Sequence, residues 1–378
     1  MIRLNKKNNK IIKAKEWNHA PDRALIIIIL IILAFGLISL SSASAVVAYS
    51  KFHDAYYYFK HQIFGIVIGL VAFLFFSKTN YHVWKKYSFG FLIFSIFLLL
   101  LVFIPGLAAN YGTSRSWINV FGYSVQPSEF VKLSFLLYLA AWLESRKGAL
   151  HDINDGMAPF VVTLGIIGGL MLMQPDIGTL SIIVATSLIV YFVGGGNYKH
   201  IATFIIFGFL VLAISIYFKP YQFNRFKCAF DSNFSTNDIC YQTNQSLIAV
   251  GSGGFFGRGL GESRQKFMYL PEVSGDSIFA IIGEEVGMLF GSFLILCFVF
   301  LFYRGYLISK NAPDDFGKIL AIGIVSWLVI QTFTNIGGTV NIMPMTGVPL
   351  PLVSYGGTAV LAALSALGIL VNISKYTK

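Results

Sequence analysis

Charged residues are scarce in this chain. Asp, Glu, Lys and Arg make up 12% of the 378 residues, about half the share that is usual in a soluble domain. Hydrophobic residues account for 56%, and runs such as 24–48 contain no charge at all. A bilayer core needs roughly 20 apolar residues per helix. The composition therefore excludes a soluble globular protein and predicts a polytopic membrane protein.

Two function classes are excluded by missing motifs. The glycine-rich stretch GSGGFFGRGLG at 251–261 has no preceding strand pattern and no following GK[ST], so it does not predict a nucleotide-binding loop. The net charge of +11 is not gathered into a nucleic-acid-binding module. We interpret it as cationic loops that set topology and touch anionic lipid, and we expect no nucleic-acid partner.

The apolar runs predict an all-α fold, a bundle of about ten transmembrane helices. The expected spans are 24–48, 61–77, 89–107, 130–143, 157–173, 177–193, 201–218, 278–303, 319–336 and 358–373. Residues 1–23 form a basic arm, 24–373 a single transmembrane domain and 374–378 a tail. A long loop, 219–277, separates spans seven and eight. Its apolar content predicts short interfacial helices, and the Gln-Pro-Asp sequence at 174–176 predicts a tight turn.

Basic residues predict the orientation. With ten spans both termini share one side, and most of the 28 Lys and Arg residues fall there. By the positive-inside rule that side is cytoplasmic, so the polar segments 108–129, 219–275 and 337–357 are expected outside the cytoplasm.

Cysteine is rare, with three residues. Cys228 and Cys240 both fall in the long outer loop, where a disulfide is chemically allowed and closing the loop would contribute about 3 kcal/mol. Two unpaired thiols are the alternative, since two cysteines form no framework. Cys297 lies within a span and is predicted to be a packing residue.

Polar groups are concentrated between residues 258 and 285. Charged groups beside hydrocarbon are costly and therefore mark candidate functional sites. The members are Arg258, Glu262, Arg264, Lys266, Glu272, Asp276, Glu284 and Glu285. Asp276 directly precedes an apolar run, so it fits either a helix N-cap or a general base with a raised pKa. Glu284 and Glu285 fit either pairing with cations of neighbouring spans or the lining of a polar cavity.

Two further polar segments have both a structural and a functional interpretation. In QPSEFVKL, at 126–133, proline and Glu129 predict a helix start and Lys132 an ion pair with Glu129, while Arg115 and Lys132 are alternatively phosphate ligands. The segment 341–358 holds three prolines and several glycines. It fits a re-entrant loop that borders a substrate groove, or a plain surface loop.

These segments together resemble the SEDS family (shape, elongation, division and sporulation) of bacterial cell-wall glycosyltransferases. The resemblance runs from about residue 22 onward and rests on FGLISLSSASA, SRSWI, QPSEFVKL, QPDIGT, YQTNQSLIAVGSGGFFGRGLGESRQKFMYLPE, GDSIFAIIGEEVG, NAPDDFG and PMTGVPLPLVSYGGT, in the family's order. The amino-acid sequence of the YQ…YLPE segment is more similar to the division branch (FtsW-like) than to the elongation branch (RodA-like).

The resemblance implies that lipid II is polymerised into glycan strands on the outer face of the cytoplasmic membrane. A C4 hydroxyl attacks an anomeric carbon and displaces undecaprenyl diphosphate with inversion. One base and neutralisation of the leaving group suffice, whereas an inverting hydrolase needs two carboxylates. A divalent cation, Mg²⁺ or Mn²⁺, is the expected cofactor, and no residue is assigned as its ligand.

By position, Asp276 is similar to the family's essential carboxylate and is the predicted base. Predicted diphosphate or substrate contacts are Arg115, Lys132, Arg264 and Lys266, and predicted groove residues are Glu129, Glu272 and Glu285. Ser277 stands where many relatives have an aromatic residue, and Ser116 where many have arginine. The cysteine pair lies outside the family pattern.

The resemblance also implies a class B penicillin-binding protein transpeptidase as partner, together with other division proteins. A lipid II flippase and a non-catalytic division scaffold are the alternatives. A transporter is expected to show charges near the midplane and internal repeats, and the sequence has no such repeat.

Overall fold

The computed structural model describes residues 19–106, 108–111, 114–120, 123–206, 208, 220–230 and 240–377. The fold is predominantly α-helical. The helices with both ends in these ranges are α1 (Arg23–Phe52), α2 (Tyr57–Lys78), α3 (His82–Lys86), α4 (Ser88–Leu101), α5 (Pro127–Ser145), α6 (Ala158–Met173), α7 (Ile177–Val193), α8 (Pro220–Phe230), α9 (Tyr241–Ser252), α10 (Ile278–Lys310), α11 (Asp315–Thr339) and α12 (Gly357–Ser374). A π-helical turn, Ile153–Met157, precedes α6.

The helices confirm a polytopic membrane bundle. Within the described ranges, six helical segments are long and apolar enough to cross a membrane, and α4 and α7 are shorter apolar helices. The predicted turn at 174–176 lies between α6 and α7, and the predicted interfacial helix near 247–250 is part of α9. The basic arm and most of the predicted span 201–218 fall outside the described residues, so these two expectations stay predictions.

A small sheet departs from the expected polar loop between α4 and α5. Strands β1 (Ala108–Tyr111), β2 (Ser114–Val120) and β3 (Tyr123–Val125) form an antiparallel sheet in the order β1-β2-β3. Trp117 pairs with Ala109 and Ile118 with Val125. Aromatic and β-branched residues such as these favour strands, but the segment is too short for their alternation to stand out in the sequence.

Close packing of α2 against α12 depends on small residues. A Cβ atom at Gly65 would lie 2.8 Å from Gly357 Cα, and one at Gly368 would lie 2.6 Å from the Phe73 carbonyl oxygen. Small residues let helices approach closely inside membranes. This contact fixes the end of the 341–356 segment, because α12 begins directly after it.

The glycine-rich stretch fills a break in α10. Gly287 has φ 71° and ψ −173°, which interrupts the helix. The amides of Arg258 and Gly259 donate to the carbonyls of Glu284 and Glu285 at 3.0 and 2.9 Å. A Cβ atom at Gly257 would lie 2.2 Å from the Glu285 carbonyl oxygen, so only glycine permits this approach. The glycines thus anchor the loop to α10 and serve packing.

Candidate functional site

Asp276 lies in the turn that precedes α10 and does not cap that helix. The N-cap position is Ser277, whose side chain makes no capping hydrogen bond. The Oδ1 atom of Asp276 instead accepts a hydrogen bond from Gln242 Nε2 at 3.2 Å. The helix-capping alternative is therefore wrong, and the carboxylate is held by α9 at a partly exposed position.

Helix α11 holds the main chain of the same turn. Asn335 Nδ2 donates to the Asp276 carbonyl oxygen and to the Val348 carbonyl oxygen, both at 2.9 Å. One side chain therefore joins the turn before α10 to the 341–356 segment. Asn335 of α11 therefore holds the backbone of the turn, while Gln242 of α9 holds the Asp276 carboxylate.

The Pro/Gly-rich segment 341–356 packs against this turn. Ser354 Oγ donates to the Gly275 carbonyl oxygen at 2.6 Å, and the Tyr355 amide donates to the Ser274 carbonyl oxygen at 2.8 Å. A Cβ atom at Gly347 would lie 3.9 Å from Asp276 Oδ2. The segment thus packs against protein and borders the candidate base, which excludes a plain surface loop, and the substrate groove stays a prediction.

A disulfide connects two short helices that each carry a residue acting on Asp276. Cys228 of α8 and Cys240, which precedes α9, are bonded with their Cα atoms 5.4 Å apart. On α8, Arg225 donates from Nη1 to the Met345 carbonyl oxygen at 2.8 Å. The disulfide therefore links Arg225 on one helix to Gln242 on the other.

The surroundings of Asp276 raise its pKa to about 6. Burial of the carboxyl group is the largest cause, because it disfavours the charged form. The nearby Glu272 carboxylate raises the pKa further, while the Arg225 guanidinium and the hydrogen bond from Gln242 oppose the shift. A carboxyl group tuned in this way accepts protons near neutral pH.

Lys266 and Glu285 form a buried ion pair. Lys266 Nζ lies 2.9 Å from Glu285 Oε1, and the two side chains are 6% and 3% exposed. The same ammonium donates to Ser42 Oγ at 3.0 Å and to the Gly261 carbonyl oxygen at 2.6 Å. All three of its donors are used, which disfavours the predicted contact between Lys266 and a diphosphate.

Glu284 organises the loop that follows α9. Its carboxylate accepts hydrogen bonds from Ser263 Oγ at 2.6 Å and from the amides of Arg264 and Gln265 at 3.0 and 3.2 Å. Two adjacent carboxylates of α10 therefore fix the loop. Their cation partners, Arg258 and Lys266, belong to this loop and not to a neighbouring span, where the sequence predicted them.

Lys132 and Glu129 form a second buried pair, one turn apart on α5, where that helix packs against α11. Their charged atoms are 2.8 Å apart and the side chains are 2% and 1% exposed. Lys132 Nζ also donates to Gln331 Oε1 at 2.8 Å and lies 4.9 Å from the centre of the Trp327 ring. Gln331 Nε2 in turn donates to the Pro349 carbonyl oxygen at 2.9 Å. The predicted local ion pair is present, and its contacts are all internal.

The remaining predicted residues lie at the surface or outside the described side chains. Arg264 and Glu272 are exposed. Arg115 lies on β2, and its side chain is outside the described part. Among the residues that the structure describes, no cluster of three or more His, Cys, Asp and Glu could hold a metal ion.

Gln242, Arg225, Asn335 and Gln331 were not predicted from the sequence as site residues. The first three act on Asp276, and Gln331 contacts Lys132 and the 341–356 segment. Asn335 and Gln331 lie four residues apart on the buried face of α11, and residues at that spacing share one side of a helix. Polar side chains repeated at this interval in an apolar span are the signal that identifies them.

Comparison with protein families matches residues 22–378 to the family of cell cycle proteins that comprises FtsW, RodA and SpoVE. Stage V sporulation protein E of Bacillus subtilis is 40% identical over 365 residues, which cover 95% of this chain and 98% of that protein. The probable peptidoglycan glycosyltransferase FtsW of the same organism is 36% identical over 376 residues, covering 96% and 93%.

Solved structures share the fold. A chain of a peptidoglycan synthase complex, studied for its structural coordination of polymerization and crosslinking, superimposes with a TM-score of 0.78 at 23% identity, covering 94% of this chain and 98% of that one. The rod shape determining protein RodA of Thermus thermophilus gives a TM-score of 0.70 at 24% identity, covering 94% and 97%.

Proposed function

The chain belongs to the FtsW, RodA and SpoVE family of cell cycle proteins, and from this membership we propose that it is a peptidoglycan glycosyltransferase of cell division. Its proposed substrate is lipid II. The observation that carries the proposal is the carboxylate of Asp276, which caps no helix, lines a cleft and has a pKa raised to about 6.

The proposed reaction is a single displacement. Asp276 takes the proton of a sugar C4 hydroxyl as that oxygen bonds to the anomeric carbon of a second lipid-linked disaccharide. The bond from the anomeric carbon to the undecaprenyl diphosphate breaks, and the diphosphate leaves with the bonding electrons. One carboxylate suffices, because a diphosphate needs neutralisation more than protonation.

Cations assist the leaving group in this proposal. Arg264 keeps its side chain exposed and remains our candidate contact, together with Arg115. The proposed cofactor is a divalent cation, Mg²⁺ or Mn²⁺, carried by the diphosphate, since Mg²⁺ is usually bound through substrate phosphates and few carboxylates. The cation would neutralise negative charge on the departing diphosphate.

We place the Asp276 end of this multi-pass membrane protein outside the cytoplasm and both termini inside. The distribution of Lys and Arg supports this orientation, as does a disulfide next to the site, since disulfides persist in oxidising compartments. The proposed partners are a class B penicillin-binding protein transpeptidase and other division proteins.

A translocation assay separates polymerisation from transport. The buried Lys132–Glu129 pair is the kind of intramembrane charge that transporters use, so transport is the alternative to test. We expect purified protein with its transpeptidase, in sealed vesicles supplied with lipid II and Mg²⁺, to form glycan strands from substrate in the leaflet that faces the Asp276 end. Translocation without strand formation would favour the flippase, and neither activity would favour the scaffold.

The rate of polymerisation is expected to depend on pH with an acid limb near pH 6. A base must be deprotonated to act, so the rate falls about tenfold per pH unit below the pKa and is constant above it. Replacing Glu272 by Gln removes a like charge that raises the pKa of Asp276 and moves the limb to lower pH. Initial rates between pH 4.5 and 8 measure the shift.

Glu262→Gln is the matched control, because Glu262 is an exposed carboxylate of the same loop and is not among the groups that chiefly shift the pKa of Asp276. If Glu272→Gln moves the acid limb no more than Glu262→Gln does, Glu272 is not a cause of the raised pKa of Asp276.

A further inference from the structure

The cleft beside Asp276 contains two buried oxygen atoms that have no hydrogen-bond partner. Its lining includes Asp276, Asn335, Thr346 and Gly347. Among the described residues, Asn335 Oδ1 and Thr346 Oγ1 are buried and make no hydrogen bond. Most buried polar side-chain atoms in proteins are satisfied, so two exceptions in one cleft indicate a ligand that completes them.

The orientation of Asn335 is fixed by its own contacts. Its amide nitrogen donates to the carbonyl oxygens of Asp276 and Val348, both at 2.9 Å. Rotating the amide would place its oxygen against these two carbonyls, so the observed assignment is the one that the hydrogen bonds allow. The side chain is 4% exposed, and its oxygen is left as an acceptor without a donor.

Thr346 is held in place by its neighbours in the segment 341–356. Arg225 donates to the carbonyl of the adjacent Met345 at 2.8 Å. On the other side, a Cβ atom at Gly178 would lie 2.5 Å from the Thr346 carbonyl oxygen, so the start of α7 packs directly against it. The hydroxyl is therefore presented on a backbone that is fixed from both sides.

We propose that Asn335 Oδ1 and Thr346 Oγ1, which are covered in this structure, form the acceptor-sugar subsite once lipid II opens the cleft. There they bind the hydroxyl groups that flank the nucleophilic C4 hydroxyl. This inference rests on the proposed function. The C3 and C6 hydroxyls of a hexopyranose lie on either side of C4, and each can donate to an acceptor oxygen while C4 faces Asp276. Asn335 then has two roles, since its nitrogen positions the base and its oxygen contacts the substrate.

A neutral sugar fits this cleft better than a metal ion. Asn335 and Thr346 are uncharged, and the Arg225 guanidinium is close enough to oppose the raised pKa of Asp276. Asp276 is the one carboxylate in the lining of the cleft, and among the described residues no cluster of three or more His, Cys, Asp and Glu could hold a metal ion. Hydroxyl groups match an amide oxygen and a threonine hydroxyl without any charge to compensate.

The substitution Thr346→Val tests the subsite with little effect on folding. Valine has the shape of threonine, and the hydroxyl that it removes has no partner in the protein. We expect the KM for lipid II to rise about tenfold, within the roughly 5- to 150-fold range that one unmade hydrogen bond implies. The kcat and the melting temperature stay near those of the wild type, and Thr346→Ser restores the KM.

An acceptor analogue gives the matched control. If Thr346 binds a flanking hydroxyl, lipid II analogues that lack the C3 or the C6 hydroxyl should bind poorly to the wild type, and for one of them Thr346→Val should add no further loss. Equal KM values for wild type and Thr346→Val would overturn the subsite and leave the proposed function standing.

If the wild type forms no glycan strands, the proposed function fails. The subsite is then tested separately by measuring the binding of lipid II directly. Calorimetry of lipid II binding to wild type and Thr346→Val in nanodiscs then tests the cleft by itself. Weaker binding by Thr346→Val supports the subsite, whereas equal binding or none overturns it.

Discussion

Replacing Asp276 by asparagine is expected to lower the rate of glycan polymerisation by about 10²- to 10⁴-fold, the usual contribution of a general base. Asparagine has nearly the same size, and its side-chain oxygen can still accept the hydrogen bond from Gln242 that holds the aspartate. The substitution therefore removes basicity and little else. The measurement is the initial rate of strand formation from lipid II at pH 7.5.

Asp54→Asn is the matched control for that variant. Asp54 is a carboxylate whose only ion pair among the described residues is an exposed one with Lys60, and such pairs contribute little. The polymerisation rate of the Asp54→Asn variant should stay within about twofold of the wild-type rate. A rate for Asp276→Asn that equals the wild type, with equal melting temperatures, would remove Asp276 from the chemistry.

Replacing Lys266 by methionine is expected to lower the free energy of unfolding by about 3–5 kcal/mol, the usual cost of breaking a buried ion pair. The cost arises because Glu285, 2% exposed, would keep a charge without its cation. Methionine has a similar length, so the change removes charge more than volume. Thermal unfolding in detergent micelles measures the difference.

Two further variants test the cause of that loss. Lys60→Met removes the cation of an exposed pair, whose side chains are 66% and 37% exposed, and should change stability by less than about 1 kcal/mol. The double variant Lys266→Met with Glu285→Leu removes both buried charges and should regain most of the loss. A Lys266→Met protein as stable as the Lys60→Met protein would contradict the account.

The helices were predictable because each crossing must supply enough apolar residues to span hydrocarbon. That requirement leaves long uncharged runs, such as 24–48 in α1 and 286–303 in α10. The β-sheet at 108–125 has no such signature. Its strands are three to seven residues long, and their pairing depends on contacts that the alternation of so few residues does not reveal.

The site was predictable at Asp276 and less so around it. A carboxylate next to an apolar run stands out, but the partners of Asp276 come from distant positions. Gln242 is 34 residues away and Asn335 is 59 residues away. Local sequence also could not show that Lys266 and Glu285 satisfy each other, because their pairing depends on how the glycine-rich loop enters the break in α10.

The central claim is that this chain itself forms glycosidic bonds. The most direct measurement counts the bonds formed per protein molecule when purified wild-type protein, with a transpeptidase partner whose crosslinking is blocked, is given lipid II and Mg²⁺. The account predicts many bonds per molecule and a ladder of glycan strands. Fewer than one bond per molecule, from folded protein that binds lipid II, would contradict it.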